Sequence, residues 1–330
     1  MHLRSKECRE NLFSLRRPRE PFLHFAVILA VFVAPQICRA QLDKTTPLVL
    51  QVKAHGDYAD WPKLRQDVQF ISGKSTVAGL VKNQVVVLED GVEQPDVTLQ
   101  QVDEAASICL LLDLSSSMKE SGKALIEAAR RLIATANRAD EFALVSFYGP
   151  VYLEQDFTTD PGKLDAALER VEFKGASDVF DAVLSSVLQM ETRAPKYRKV
   201  IVILSDGDDN YSHVTLPELL RRLRYPGAPL IYSLSPHKFN PRQFPQGLLN
   251  LQALTKATGG LSYESETSVR LGDDAAEISR DIRSRYSLEY TSTHTQRDGK
   301  LHKVEIRFAS EIGATKIKPY FRQEYYAPLH

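Results

Sequence analysis

The sequence predicts a doubly wound, mostly parallel α/β sheet flanked by a small antiparallel β module. From Ser107 onward, short apolar runs alternate with segments whose apolar residues recur at helical spacing, which is typical of a parallel sheet covered by helices. The segments on either side carry strand-like runs separated by turn residues. With 330 residues, 43% of them hydrophobic and 25% charged, the chain is long enough for one to three folded domains.

Residues 1–40 have the layout of a secretory signal peptide. A basic segment is followed by an apolar run over residues 22–34 and by Cys38-Arg39-Ala40, with small residues before a cut after Ala40. The apolar run is shorter than the roughly 20 residues that a membrane span needs. We therefore expect export to the periplasm or the exterior, with no membrane span in the mature chain; an uncleaved N-terminal anchor is the alternative.

Residues 41–103 are predicted to form the N-terminal β module. Asp90-Gly91 is expected to be a turn that pairs Val85–Leu88 with Val97–Leu99. The predicted strands are Leu48–Val52, Asp67–Ile71, Gln84–Leu88 and Val97–Val102.

Residues 104–292 are predicted to form the α/β domain. Ile108–Leu112 and Val200–Leu204 are continuous apolar runs, as expected for strands buried on both faces. The other predicted strands are Phe142–Phe147, Leu230–Leu234 and, as the last of the series, Tyr286–Tyr290. The predicted helices are Lys123–Arg138, Pro161–Val171, Asp178–Met190, Thr215–Arg224, Leu248–Thr258 and Asp273–Ser284.

Residues 293–330 return to strand patterns, with Lys303–Phe308, Lys316–Tyr320 and Gln323–Tyr326 as predicted strands. These strands and the N-terminal module flank the α/β domain in sequence. Our hypothesis is that the two β segments pair with each other beside that domain.

Polar side chains follow the buried strands at the edge where parallel sheets bind ligands. Asp113, Ser115 and Ser117 follow the first buried strand, Asp206 follows the strand Val200–Leu204, and Ser177 precedes a predicted helix. Two carboxylates and three hydroxyls form an all-oxygen set, which suits a hard divalent cation such as Mg²⁺, Mn²⁺ or Ca²⁺. We predict that these five residues hold the ion, directly or through water.

The motif Asp113-Leu114-Ser115-Ser116-Ser117 after a buried strand resembles the DxSxS signature of von Willebrand factor type A domains. Ser177 stands where that family usually has a threonine, and Ser205-Asp206-Gly207 resembles its final aspartate loop. The resemblance covers about residues 104–292 and implies a Rossmann-like domain with a metal-ion-dependent adhesion site.

The flanking segments resemble those of a bacterial exported subgroup of these domains. The shared features are Glu89-Asp90-Gly91 before the domain and Asp298-Gly299-Lys300 and Tyr325-Tyr326-Ala327-Pro328 after it. The resemblance implies metal-dependent binding of a protein or peptide through an exposed Asp or Glu of the partner, and no enzymatic activity.

Two other functions stay open at this point: a metal-assisted hydrolase, and a metal-free scaffold in an exported complex. No general base accompanies the five residues in the sequence, which disfavours the hydrolase. A formal net charge of zero disfavours a nucleic-acid partner. Asp181 is expected to position its helix locally, and Asp208-Asp209-Asn210 to form a solvated acidic rim.

Overall fold

The computed structural model describes residues 58, 60–236, 245–309 and 317–329. The predicted signal peptide over residues 1–40 and the predicted strand Leu48–Val52 lie outside these residues. Within the described part of the chain, no helix is long and apolar enough to cross a membrane.

The described residues form fifteen strands and six α-helices. The strands are β1 (Lys63–Ser72), β2 (Ser75–Thr76), β3 (Val85–Glu89), β4 (Val92–Glu93), β5 (Thr98–Gln101), β6 (Ala106–Asp113), β7 (Glu141–Phe147), β8 (Val151–Thr158), β9 (Arg198–Leu204), β10 (Leu230–Pro236), β11 (Ser262–Ser265), β12 (Tyr286–Thr291), β13 (Leu301–Phe308), β14 (Ile317–Tyr320) and β15 (Glu324–Tyr326). The helices are α1 (Gly122–Thr135), α2 (Pro161–Leu168), α3 (Val179–Arg193), α4 (Leu216–Leu223), α5 (Pro245–Thr258) and α6 (Ser268–Arg283).

The central sheet has six strands in the order β11-β10-β9-β6-β7-β8. All of its neighbouring strands are parallel except β7 and the edge strand β8, which are antiparallel. Every residue of β6 is buried, which explains its continuous apolar sequence. The predicted doubly wound, mostly parallel α/β sheet is therefore the fold of this region.

Helices cover both faces of the central sheet. On one face, Leu110 of β6 belongs to the same hydrophobic cluster as Leu125 of α1 and Ile278 of α6. On the other face, Leu111 clusters with Val183 of α3 and with side chains of α4 and α5. Because successive side chains of a strand point to opposite faces, a single buried strand supplies both cores.

Two antiparallel sheets combine strands from the two ends of the described chain. One has the order β14-β1-β12-β5, with β2 on β1, and the other has the order β15-β13-β3-β4. β3 pairs with β13, which places Val87 opposite Ile306. Side chains of both sheets form one hydrophobic cluster that includes Val68, Tyr286 and Val304.

Two expectations about strands were wrong, and two strands of the central sheet were missed. Tyr286–Tyr290, expected as the last strand of the α/β series, lies in β12 and pairs antiparallel with β1 and β5. The Asp90-Gly91 turn joins β3 to β4 rather than to the strand at Val97–Leu99, since β5 pairs with β12. The apolar residues of β12 alternate with polar ones, a pattern typical of a strand in an antiparallel sheet with one apolar face.

The edge strands β8 and β11 of the central sheet were not predicted.

Arg285 joins the antiparallel sheets to the α/β body. Its side chain is fully buried and donates hydrogen bonds to the hydroxyl of Tyr232 in β10 at 2.8 Å and to the carbonyl of Gly259 at 2.6 Å. It also donates to the carbonyls of Asp67 in β1 and Tyr320 in β14, at 3.1 and 2.9 Å. One guanidinium group therefore bridges strands of two different sheets.

Arg198 of β9 makes a second link of this kind. It is 1% exposed and pairs with the carboxylate of Asp67 in β1 at 2.9 Å. It also donates to the carbonyl of Ile282 at the end of α6, at 3.1 Å. The buried charge therefore has a carboxylate partner, as buried charges require.

Replacing Arg285 by methionine should lower the free energy of unfolding by about 3 kcal/mol or more, because several buried acceptors lose their donor. Urea denaturation of the chain measures this change. The matched control is Arg283→Ala, which removes an exposed pair with Asp103 and should cost less than about 1 kcal/mol. Equal effects of the two substitutions would contradict the bridging role of Arg285.

Candidate metal centre

The candidate centre lies where β6 and β9 end. These neighbouring strands are parallel, and Leu112 is in register with Leu204, so Asp113 and Ser205 come side by side at the edge of the sheet. The loop after β9 continues to Asp206, and the loop before α3 brings Ser177 to the same edge. Parallel strand order therefore gathers three loops that are far apart in sequence.

Asp113 is the buried centre of this group. Its side chain has no exposed surface, and its Oδ1 accepts a hydrogen bond from the backbone N–H of Ser115 at 2.9 Å. Its Oδ2 accepts from the hydroxyls of Ser205 at 2.6 Å and Ser177 at 3.2 Å. The carboxylate is thus held by donors from all three loops.

The remaining predicted residues connect to each other by hydrogen bonds. The hydroxyl of Ser117 donates to Asp206 Oδ2 at 2.8 Å and lies 3.1 Å from the hydroxyl of Ser115. The hydroxyls of Ser115 and Ser117 are close enough to hydrogen-bond to each other, and either can be the donor. The structure therefore brings Asp113, Ser115, Ser117, Ser177 and Asp206 together.

The carboxylates of Asp113 and Asp206 have no positive partner among the described residues. Burial first, and then the negative charge of Asp206, raise the pKa of Asp113 from 3.8 to about 6. Burial is also the main cause that raises the pKa of Asp206. Among the described residues, no lysine, arginine or histidine forms a salt bridge with either group. A buried pair of acids without a counter-charge is costly, and a divalent cation would supply that charge.

The donor set fits a hard cation. Two carboxylates and three hydroxyls are oxygen ligands of the kind that Mg²⁺ and Ca²⁺ prefer. Ser117 is exposed, whereas Asp113, Ser115, Ser177 and Asp206 are buried, so the group opens to solvent on the Ser117 side. Such a site can bind an ion and leave one side of it accessible to another molecule.

Backbone contacts fix the three loops against one another. The carbonyl of Gly175 accepts hydrogen bonds from the N–H and the hydroxyl of Ser116, at 3.2 and 3.0 Å. Gly175 has a φ of +78°, and a β-carbon there would lie 2.4 Å from the carbonyl oxygen of Tyr148. Asn210 N–H donates to the carbonyl of Ser177 at 3.0 Å. A side chain at position 175 would therefore disturb the loop that carries Ser177.

The start of α5 packs closely on the Asp206 loop. A β-carbon on Gly247 would lie 2.4 Å from the carbonyl oxygen of Asp206. The side-chain amide of Asn250 donates to the carbonyl of Gly207 at 3.2 Å. The backbone position of Asp206 is therefore coupled directly to the position of α5.

Nearby acidic residues organise α3 and do not join the five. The carboxylate of Asp181 accepts hydrogen bonds from the N–H groups of His213 and Val214, each at 3.0 Å, in keeping with a local positioning role. Asp209, expected on a solvated rim, instead accepts from the N–H of Phe180 at 3.2 Å and the hydroxyl of Ser212 at 2.6 Å. Asp209 therefore helps to cap α3.

Sequence reasoning missed one member of the group. Ser205 donates to Asp113 and also accepts a hydrogen bond from the N–H of Gly207 at 2.8 Å, so it orients the carboxylate and the Asp206 loop together. Its position directly after a buried parallel strand, beside the neighbouring strand that ends in Asp113, was the signal that could have indicated this role.

Several solved structures resemble the chain. A von Willebrand factor type A protein from Catenulispora acidiphila is 12% identical, with 81% of this chain and 75% of that chain covered and a TM-score of 0.48. The conserved hypothetical protein BatB from Bacteroides thetaiotaomicron is 15% identical, covering 55% of this chain and 100% of that chain, with a TM-score of 0.42. Proximal thread matrix protein 1 from the mussel byssus, solved with a zinc-occupied MIDAS motif, is 14% identical over 59% of this chain and 50% of that chain, with a TM-score of 0.46.

A comparison with curated proteins found no match. Residues 108–208 match the family model of the von Willebrand factor type A domain. This segment includes Asp113, Ser115, Ser117, Ser177 and Asp206. Residues 108–208 are therefore similar to von Willebrand factor type A domains, a class of domain that commonly mediates protein interactions.

Proposed function

We propose that the chain binds a protein or peptide partner through a divalent cation held by Asp113, Ser115, Ser117, Ser177 and Asp206. The observation that carries this proposal is the buried, hydrogen-bonded pair of carboxylates that has no positive partner among the described residues. Von Willebrand factor type A domains often bind a divalent metal at a metal-ion-dependent adhesion site. When bound, the cation would attract a carboxylate from the partner.

All five residues would coordinate the ion. The hydroxyls of Ser115, Ser117 and Ser177 and the two carboxylates would act as ligands, directly or through water. Mg²⁺ is the first candidate, and Mn²⁺ or Ca²⁺ would suit the same oxygen donors. With only two acids in the set, the ion would keep enough positive charge to accept an Asp or Glu side chain from a partner.

The alternative of a metal-assisted hydrolase has less support. Hydrolysis would need a base positioned to activate water beside the ion. His213, a loop histidine on the same side of the domain, has its Nδ1 2.9 Å from the carboxylate of Asp181. Asp113 and Asp206, the other groups that could act as a base, already accept hydrogen bonds from serine hydroxyls. A metal-free scaffold, the third alternative, would leave Asp113 and Asp206 without a positive partner among the described residues.

We propose that this binding takes place after export, in the periplasm or outside the cell. The support is the signal-peptide pattern of residues 1–40, which lie outside the described part of the structure. A membrane-anchored form would arise if this segment stayed uncleaved.

Asp113→Asn should stabilise the chain in excess chelator by about 1–3 kcal/mol at pH 7.5, because it removes a buried charge whose pKa is raised on folding. A raised carboxyl pKa means that the folded state holds the proton more tightly, so the wild type loses stability as pH rises from 3.8 to about 6. The advantage of Asp113→Asn should therefore vanish near pH 4. Urea denaturation at several pH values measures it.

The matched control for this series is Asp165→Asn, because Asp165 is 51% exposed and pairs with Arg130 on the surface. This control should change the stability by less than about 0.5 kcal/mol. A loss of stability in Asp113→Asn at pH 7.5 would contradict the uncompensated charge.

Adding Mg²⁺ should make the wild type more stable than Asp113→Asn, which is the reverse of their order in chelator. A ligand that binds only the folded state raises the free energy of unfolding by about 2.7 kcal/mol at a hundredfold excess over its dissociation constant. Thermal unfolding should show this rise for the wild type and for Ser177→Thr, which keeps the ligating hydroxyl. Asp113→Ala should show none, and Ser177→Ala a smaller one.

Ser116→Ala is the internal control, since Ser116 lies in the same loop but its hydroxyl binds the carbonyl of Gly175 rather than the centre. It should keep the metal response. The absence of a rise in the wild type with Mg²⁺, Mn²⁺ and Ca²⁺ would favour the scaffold.

Peptides selected from a random display library against the full chain in Mg²⁺ should carry an Asp or Glu that is essential for binding. They should elute with chelator, lose binding when that residue becomes Asn or Gln, and fail to bind Asp113→Ala. Metal-dependent turnover of a p-nitrophenyl ester or phosphate, absent in Asp113→Ala, would instead support the hydrolase.

A further inference from the structure

We propose that His294, Asp298 and His302 form a second metal site, of the class that binds Zn²⁺. The site lies in the antiparallel β region, away from the loops that carry Asp113 and Asp206. It does not depend on the function proposed above.

The three side chains converge on one point. One nitrogen of each histidine and one oxygen of Asp298 lie within 4.8 Å of one another. His294 Nε2 and His302 Nε2 are buried atoms without a hydrogen-bond partner, whereas Asp298 Oδ2, which is also buried, has the ammonium of Lys300 at 3.0 Å. His302 is only 3% exposed, so its free nitrogen points into the protein. Buried polar atoms normally have partners, and two unpartnered imidazole nitrogens facing one carboxylate indicate a missing ligand.

A fourth residue, Asp90, sets the orientation of His302. Its Oδ2 lies 2.7 Å from His302 Nδ1, and its Oδ1 accepts a hydrogen bond from the N–H of Lys303 at 2.9 Å. The N–H of Asp90 donates back to the carbonyl of Lys303 at 2.8 Å. This carboxylate favours a proton on Nδ1 and leaves the lone pair of Nε2 directed toward Asp298 and His294. A carboxylate behind a ligating histidine is the usual outer-shell arrangement at zinc sites.

The loop that carries His294 and Asp298 is also fixed in place. The N–H of His294 donates to the hydroxyl of Ser292 at 3.0 Å, and that hydroxyl donates to Glu89 at 2.7 Å. The indole N–H of Trp61 donates to the carbonyl of Thr295 at 3.1 Å. The ligand atoms are therefore positioned by contacts that do not involve an ion, as a preformed site requires.

Protonated histidines are the competing explanation. His294 Nε2 and His302 Nε2 lie 3.6 and 4.0 Å from the oxygens of Asp298, which is too long for good hydrogen bonds. The ammonium of Lys300 lies 3.0 Å from Asp298 Oδ2, but Lys300 is 73% exposed and free to turn away. The spacing leaves room for an ion between the three groups rather than for direct contacts.

The ligand types select the metal. Two imidazoles and one carboxylate suit Zn²⁺ and similar transition metals, whereas Mg²⁺ and Ca²⁺ prefer oxygen ligands. The fourth position would be filled by water. The two proposed centres therefore differ in the metals they select.

The position of the site indicates a structural role. His294 and Asp298 lie in the connection from β12 to β13, His302 lies in β13, and Asp90 lies in the turn between β3 and β4. β12 and β13 belong to different antiparallel sheets. An ion at this place would clamp the two sheets together.

Equilibrium dialysis of the full chain against Zn²⁺, followed by elemental analysis, tests the proposal. The background variant is Asp113→Ala, which removes the first centre. It should retain about one zinc ion per chain in the presence of excess Mg²⁺, because the ligands include two histidines. Adding His294→Ala should abolish retention, whereas adding His213→Ala, which changes a histidine outside the cluster, should not.

Cobalt provides a second readout. Co²⁺ bound to the Asp113→Ala variant should give visible absorption bands of a site with nitrogen ligands, and His302→Gln should remove them. Zn²⁺ should also raise the unfolding midpoint of Asp113→Ala but not that of Asp113→Ala/His294→Ala. Failure of the folded Asp113→Ala variant to retain zinc, or equal retention after His294→Ala, would overturn the proposal.

Discussion

The guanidinium group of Arg285 lies fully buried between the central sheet and the antiparallel sheets, where it binds three backbone carbonyls and a tyrosine hydroxyl. Arg198 lies in the same region and pairs with Asp67. Burying a charge is costly unless it is paired or hydrogen-bonded, so displacing these contacts would be unfavourable. They fix the antiparallel sheets in one orientation on the α/β body, and hydrophobic contacts alone would be less directional.

The opposite end of the central sheet carries two buried carboxylates. Asp113 and Asp206 are buried near each other, and burial raises the pKa of both. Hydrogen bonds from serines hold the two groups in place but cannot neutralise them. The cation proposed for this site would supply the positive charge that the two carboxylates lack among the described residues.

The two proposed metal centres illustrate how donor chemistry separates functions within one chain. The first has only oxygen donors and one exposed member, Ser117, which suits an ion that meets a partner. The second has two histidines, of which His302 is backed by Asp90, and it would close a junction between sheets. One would serve recognition, and the other would serve the integrity of the β region.

The sequence by itself determined the α/β architecture and the five residues that meet at the sheet edge. Continuous apolar runs such as Ile108–Leu112 are typical of strands buried on both faces, and residues that follow parallel strands share an edge of the sheet. The sequence could not assign β12 to its sheet, since the alternation of apolar and polar residues indicates a strand but not which strands pair with it. It also missed the cluster at His294, Asp298 and His302, whose members lie in a loop and a strand without a recognisable metal-binding spacing. Asp90 and His302 lie more than two hundred positions apart in the sequence. The pairing of β3 with β13 brings them together, and that pairing is visible only in the tertiary structure.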